Sequence, residues 1–206
     1  MNKIFKKINT CRICSNKKLN KVIDLGSQYL QGSFIKSNLA KPYLKKIPLK
    51  LTLCKKCSLV QLMHTTNKNI LYKNYWYQSG VNKTMRDHLR DLVKILLKMN
   101  RQHNNNLNVL DIGCNDGTLL KFYPKKVNKY GIDPSQIIDK IVRKDIKTFR
   151  DFFPPRKKKF KNLNSKFDII TSIAMFYDLD NPNEFVKNIK YRLTSNGIWV
   201  FELSYL

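Results

Sequence analysis

Apolar and polar residues alternate along "IPLKLTLCKKC" (Ile47–Cys57), and this two-residue period predicts a strand that runs into a cysteine pair. Upstream, "KVIDLGSQYL" (Lys21–Leu30) reads as a short strand followed by a glycine turn. The period changes in "TMRDHLRDLVKILLKMN" (Thr84–Asn100), where Met85, Leu89, Leu92, Val93, Leu96 and Leu97 share one helical face. Thr84 and Asp87 stand in capping-box spacing at its start, and His88 beside the stripe reads as polar surface. "RQHNNN" (Arg101–Asn106) then reads as a loop.

From there the pattern is βα. "LNVLDIGCNDGTLL" (Leu107–Leu120) predicts a buried strand to Ile112, a glycine-containing turn and a helix. "YGIDPS" ends a second strand in Asp133, and "IKTFRDFF" forms a third segment carrying Asp151 and Phe152. "FDIITSIAMFYDL" is a fourth strand opening into a polar loop. "NPNEFVKNIKYRLTSNG" is a helix with Phe185, Ile189 and Leu193 on one face and Gly197 at its end, and "IWVFELSYL" is a fifth strand. This order predicts an α/β fold with a partial Rossmann-like, doubly wound sheet of five strands. The expected divisions are 1–72, 73–106 as an aromatic hinge with a connecting helix, and 107–206.

Four of the five cysteines form two Cys-x-x-Cys turns, Cys11/Cys14 and Cys54/Cys57, separated by 39 residues. Two such turns supply the four thiolates that tetrahedral Zn²⁺ prefers, at about 2.3 Å per bond. The insert therefore reads as a small zinc-binding domain closed by the metal, and a filled shell makes that zinc structural. His64 reads as an ordinary polar residue, and Cys114 as a small turn residue.

Composition narrows the setting. The 206 residues are 42 % hydrophobic, enough for a real core. No segment reads as a signal peptide or a membrane span, so a cytoplasmic chain with reduced thiols is expected. The net charge of +26 suits nucleic-acid binding. It also suits A/T-rich coding, because 32 Lys and 22 Asn stand against 8 Arg and 2 Ala. One dense basic run, "RKKKFK" (Arg156–Lys161), follows "FFPP" as a loop would.

The candidate chemistry lies at the strand tips. Gly113-x-Asn115-x-Gly117 is half a dinucleotide fingerprint. Asp111, just before it, suits an ammonium group better than a phosphate. Asp133 is placed for a ribose, and Asp151 with Phe152 for an adenine. "LYKNYWYQSG" packs four aromatics before a Ser-Gly, as either an interdomain hinge or part of a ligand-site wall.

Taken in order, "CRIC…DLG…CKKCSLVQL", "YWYQSG", "TMRDHL", "LDIGCNDGTLL", "GIDPS", "MFYDL" and "WVFELSYL" resemble class I S-adenosylmethionine-dependent methyltransferases. More narrowly they resemble the sugar C-methyltransferases with an N-terminal zinc-binding domain. The resemblance implies that Asp111, Gly113 and Asn115 line the methionine part of S-adenosylmethionine. It places Asp133 on the ribose and Asp151 with Phe152 on the adenine. Its substrate is a thymidine-diphosphate 4-keto-6-deoxy sugar, deprotonated beside the ketone so that an enolate takes the methyl group. Tyr75 or Tyr77 is the expected substrate-facing tyrosine, and Tyr177 stands where relatives carry a His. A phenol is a weaker base than imidazole at neutral pH. The family continues for about two hundred residues with a His-Glu-His-like motif. The expectation is therefore that this chain is a front half, either a gene fragment or one part of a split protein whose C-terminal chain completes the sheet, with an apolar edge on its fifth strand. An RNA methyltransferase and a non-catalytic zinc- and cofactor-binding remnant are the competing readings; scarce Arg and clustered aromatics weigh against RNA.

Overall fold

The computed structural model describes residues 4–30, 46–73, 75–100, 107–155 and 166–203. The "RQHNNN" and "RKKKFK" segments and the last residues of "IWVFELSYL" lie outside them. The chain divides into two compact units, residues 1–74 with 180–183, and residues 75–179 with 184–206.

The first unit contains β1 (Phe5–Lys7), β2 (Leu19–Tyr29), β3 (Lys46–Cys54), β4 (Val60–Leu62), β5 (His64–Thr66) and α1 (Lys68–Tyr72). β2, β3 and β4 form an antiparallel sheet, and β1 pairs antiparallel with β5. The expected glycine turn is instead a bulge within one long strand. Gly26 takes φ +72° and its N–H donates to Asp24 Oδ1 at 3.0 Å, while the pairing with β3 slips between Asp24 and Ser27.

The second unit contains α2 (Lys83–Met99), β6 (Asn108–Ile112), α3 (Thr118–Lys121), β7 (Asn128–Asp133), β8 (Ile146–Arg150), β9 (Phe167–Ile173), α4 (Pro182–Arg192, of which the first two residues fall in the first unit) and β10 (Leu193–Glu202). The five strands form one parallel sheet in the order β10-β9-β6-β7-β8. The chain order reverses between β6 and β9, and ligands of open α/β sheets bind at such a switch point, beyond the carboxyl ends of the strands.

Side-chain alternation sends each strand into two cores. Val109 and Ile169 join Leu89, Val93 and Leu96 of α2 and Leu120 of α3 on one face. Leu110, Ile112, Ile132 and Ile170 join Phe185 and Ile189 of α4 on the other. Lys129 is buried among them, its ammonium donating to the Pro124 carbonyl at 2.9 Å and paired with Asp145 at 2.8 Å.

Two expected boundaries move. α4 ends at Arg192, and Gly197 lies inside β10, not at a helix end. A Cβ at Gly197 would stand 2.8 Å from the Phe167 carbonyl oxygen, so this glycine permits the close pairing of β10 with β9 where their register shifts. The α2 stripe is as expected, but its cap is Asn82, not Thr84: Asn82 Oδ1 accepts from the N–H groups of Thr84 and Met85. His88 is exposed and bonds Glu202 at 2.8 Å.

The cap assignment predicts that Asn82→Ala costs about 1 kcal/mol in urea unfolding, whereas Thr84→Ala costs less than half of that.

Candidate functional site

Each Cys-x-x-Cys pair sits in the same tight knuckle. Cys11 N–H donates to Asn16 O at 2.9 Å and Ser15 N–H to Cys11 O at 3.0 Å. Cys54 N–H donates to Leu59 O at 2.9 Å and Ser58 N–H to Cys54 O at 3.0 Å. Ser15 and Ser58 take φ of 58° and 59°, the left-handed turn that swings both thiols to one side. Arg12 and Gln61 lock the first knuckle to β4: Arg12 N–H donates to Gln61 Oε1 at 2.9 Å, and Gln61 Nε2 to Thr10 O at 3.2 Å.

The four sulfurs lie within 4.8 Å of one another, with Cys11–Cys57 at 3.6 Å and Cys14–Cys54 at 3.5 Å. A zinc tetrahedron with bonds of about 2.3 Å has edges of about 3.8 Å, so the set fits Zn²⁺ with little movement. N–H donors of Cys57, Lys56 and Asn16 hold the Cys54 thiol below its ordinary value, favouring the thiolate that binds metal. His64 is outside the cluster, its ring edge-on to Phe5. Zinc is therefore a structural cofactor held by Cys11, Cys14, Cys54 and Cys57.

In the second unit, the turn after β6 is built on left-handed residues: Gly113 at φ +75°, Asn115 at +53° and Gly117 at +71°. Gly113 N–H donates to Ile132 O at 2.8 Å, which holds the turn against the end of β7. Asp111 is fully buried beneath it. Its Oδ1 accepts from Thr171 Oγ1 at 2.7 Å, and no other hydrogen bond reaches its carboxyl group among the described residues. Burial pushes the acid up to about 7, Thr171 opposes this, and the neighbouring Asp133 adds to it.

Asp133 ends β7 and is satisfied differently. Its Oδ2 accepts from Asn115 N–H at 3.0 Å, and its Oδ1 from Ser135 N–H at 2.8 Å and Ser135 Oγ at 2.6 Å. Of roughly four lone-pair positions on a carboxylate, about one remains for a ligand. Asp151 follows β8 and donates its N–H to Asp133 O at 3.1 Å, while its Oδ1 accepts from Phe152 N–H at 2.9 Å. Phe152 is half-buried and Phe153 packs edge-on to Phe185.

Tyr75, Tyr77 and Tyr177 gather on the same side. The Tyr75 and Tyr77 ring centroids are 6.5 Å apart. Burial raises the Tyr75 phenol above its ordinary value, reinforced by Tyr177, Asp178, Tyr77 and Asp133. Asn115 is the surprise. Its Nδ2 donates to Tyr77 O at 2.8 Å and its Oδ1 accepts from Ser79 N–H at 3.0 Å, so its amide holds the aromatic segment. Asp116 was not singled out by sequence, although "DGT" is a recognisable Asx turn: its Oδ1 accepts from Thr118 N–H at 3.1 Å. Thr171 and Ser135 carried no sequence signal.

The left-handed turn, the two acidic strand tips and the tyrosines thus lie together at the carboxyl end of the parallel sheet. Two carboxyl groups at neighbouring tips, Asp111 with a single donor and Asp133 with three, are chemically suited to a ligand that carries a cation and hydroxyl groups.

Residues 81–205 match the family model described as "Methyltransferase domain", and residues 11–72 match the one described as "Putative zinc binding domain". The chain belongs to the methyltransferase-domain family. Among curated proteins it is 21 % identical over 212 residues to the C-methyltransferase NovU of Streptomyces niveus, covering 100 % of this chain and 50 % of that protein. It is 28 % identical over 109 residues to the tRNA U34 carboxymethyltransferase of Campylobacter jejuni subsp. doylei, covering 48 % of this chain and 35 % of that one. The chain spans half or less of the length of these relatives. Among solved structures, the plantazolicin methyltransferase BpumL in complex with a pentazolic desmethylPZN analog and SAH aligns with a TM-score of 0.48 at 16 % identity, over 59 % of this chain and 48 % of that one.

Elemental analysis of the purified chain is expected to give one zinc per polypeptide, and Cys11→Ser or Cys54→Ser to lose it. Asp111 supplies a second prediction with a definite sign. An unfolded Asp titrates near 3.9 and the native one near 7. Its protonated form therefore favours the native state fully below about pH 4, and this contribution is lost as pH rises through about 7. Asp111→Asn is expected to gain up to about 4 kcal/mol of stability at pH 8 and nothing near pH 4, measured by urea unfolding across pH.

Proposed function

We propose that this chain is the zinc-bearing, cofactor-binding portion of an S-adenosylmethionine-dependent C-methyltransferase that acts on a nucleotide-linked keto-deoxy sugar. The observation that carries the reading is the pairing of a Cys₄ zinc unit with a methyltransferase domain, collinear with a C-methyltransferase over the whole chain. When bound, S-adenosylmethionine supplies a methyl group on a sulfonium centre.

The chain's own residues divide the work. Asp111 accepts from the cofactor ammonium group, directly or through water, beside the backbone of Gly113, Asn115 and Gly117. Asp133 accepts from one ribose hydroxyl with its remaining lone pair, and Asp151 and Phe152 flank the adenine. Tyr75, a phenol that keeps its proton at neutral pH, donates a hydrogen bond to oxygen charge that develops on the sugar ketone. Tyr77 and Tyr177 orient the sugar. Proton abstraction from carbon is assigned to a complementing C-terminal portion, in this polypeptide or a separate chain.

The second reading, methyl transfer to RNA, draws on the charge of +26 and the tRNA-modifying relative. Calorimetry separates them. S-adenosylmethionine is expected to bind the isolated chain, and Asp133→Ala to weaken it about tenfold or more through the lost charged hydrogen bond. Absence of cofactor binding, even with the C-terminal portion of a relative added, would overturn the enzymatic reading. Tight RNA binding that falls steeply with salt would overturn the sugar in favour of RNA.

A further inference from the structure

The segment Tyr77–Val81 has no regular structure of its own, yet its backbone polar groups are met by side chains from two other places. Tyr77 O accepts from Asn115 Nδ2 at 2.8 Å, and Ser79 N–H donates to Asn115 Oδ1 at 3.0 Å. Gly80 N–H donates to Asp116 Oδ2 at 2.9 Å. Arg86 Nη1, one turn into α2, donates to Gly80 O at 2.7 Å and Val81 O at 2.9 Å. A primary amide facing one C=O and one N–H mimics a peptide of a neighbouring strand, so Asn115 pairs with the segment as a sheet would.

The clasp is built on buried groups. Asn115 and Asp116 are each 8 % exposed, and the second oxygen of Asp116 is held by Thr118 Oγ1 at 2.6 Å. The fit is tight at Gly80, where a Cβ would stand 2.6 Å from Asp116 Oδ2 and 2.8 Å from Thr118 Oγ1. Asn115 also gives its own N–H to Asp133 at 3.0 Å, so one residue bonds both the segment and the acidic tip of β7.

We propose that Asn115 and Asp116 are positioning residues that fasten the Tyr75–Gly80 segment onto the cofactor turn, so that cofactor binding and placement of the substrate-facing tyrosines are one coupled event. The inference rests on the cofactor reading above and deepens it. Asn115 acts through the segment and through Asp133, and its side chain is not the group that touches the methionine part of the cofactor. A bound cofactor stiffens the turn, the clasp transmits this to Ser79 and Gly80, and Tyr75 and Tyr77 are thereby fixed beside Asp133.

Trp76 lies within the fastened segment and is half exposed, and Trp199 is the other tryptophan of the chain, so Trp199→Phe leaves one reporter. Acrylamide quenching of Trp76 is measured in this background, alone and with S-adenosylmethionine, for the parent, Asp116→Ala, Gly80→Ala and, as a control for general destabilisation, Asp145→Ala. The expected result is that cofactor lowers quenching in the parent. Asp116→Ala and Gly80→Ala should raise it without cofactor, at unchanged zinc content and circular dichroism, and weaken cofactor binding about tenfold. Asp145→Ala should leave Trp76 as in the parent. Parent-like quenching in both clasp variants would overturn the clasp. Cofactor binding that neither alters Trp76 nor weakens in the variants would overturn the coupling. Release of Trp76 by the variants in a chain that binds no cofactor would sink the cofactor reading, and the coupling with it, while the clasp stands.

Discussion

The second unit is organised around an electrostatic difficulty: two carboxyl groups, Asp111 and Asp133, buried at the tips of adjacent parallel strands. Burying carboxylates away from water is costly unless donors or a counter-charge meet them. Asp133 solves this locally, with N–H groups from Asn115 and Ser135 and the Ser135 hydroxyl. Asp111 does not; it has Thr171 and retains its proton to about pH 7. The fold leaves the difficulty at Asp111 unresolved, so this carboxyl group is a weak point in the packing.

The turn that carries this site also organises its surroundings. Left-handed φ values at Gly113, Asn115 and Gly117 coil the backbone tightly enough to aim the Asn115 N–H at Asp133. That geometry turns the Asn115 amide and the Asp116 carboxylate towards Tyr77, Ser79 and Gly80. A segment rich in aromatic rings is thereby held beside the acidic tips without a helix or strand of its own.

The first unit meets a different constraint. Its β2 strand exposes Val22, Ile23, Leu25 and Tyr29, and the described core there is small. A unit of this size gains little from burial alone, and four thiolates on one zinc supply the missing cross-link between the two knuckles. Arg12 and Gln61 show how the protein secures that arrangement with ordinary hydrogen bonds from residues beside the ligands.

Much of this was legible in the sequence because the relevant signals are local. Strand and helix periods are set by backbone geometry over a few residues, so the βα order, the α2 stripe and the acidic tips at Asp111 and Asp133 could be read directly. The Cys-x-x-Cys spacing likewise encodes a knuckle. The misreadings came where two local signals compete: Asn82 and Thr84 both suit a cap, and Gly197 suits a helix end as well as a close strand pairing. What only the tertiary structure decided is where side-chain hydrogen bonds go over long separations. Asn115 and Asp116 meet residues 36 to 38 positions away, and Thr171 meets Asp111 across 60. No periodicity carries such a pairing, because it is fixed by which strands lie side by side and by the need to satisfy polar groups that packing has removed from water.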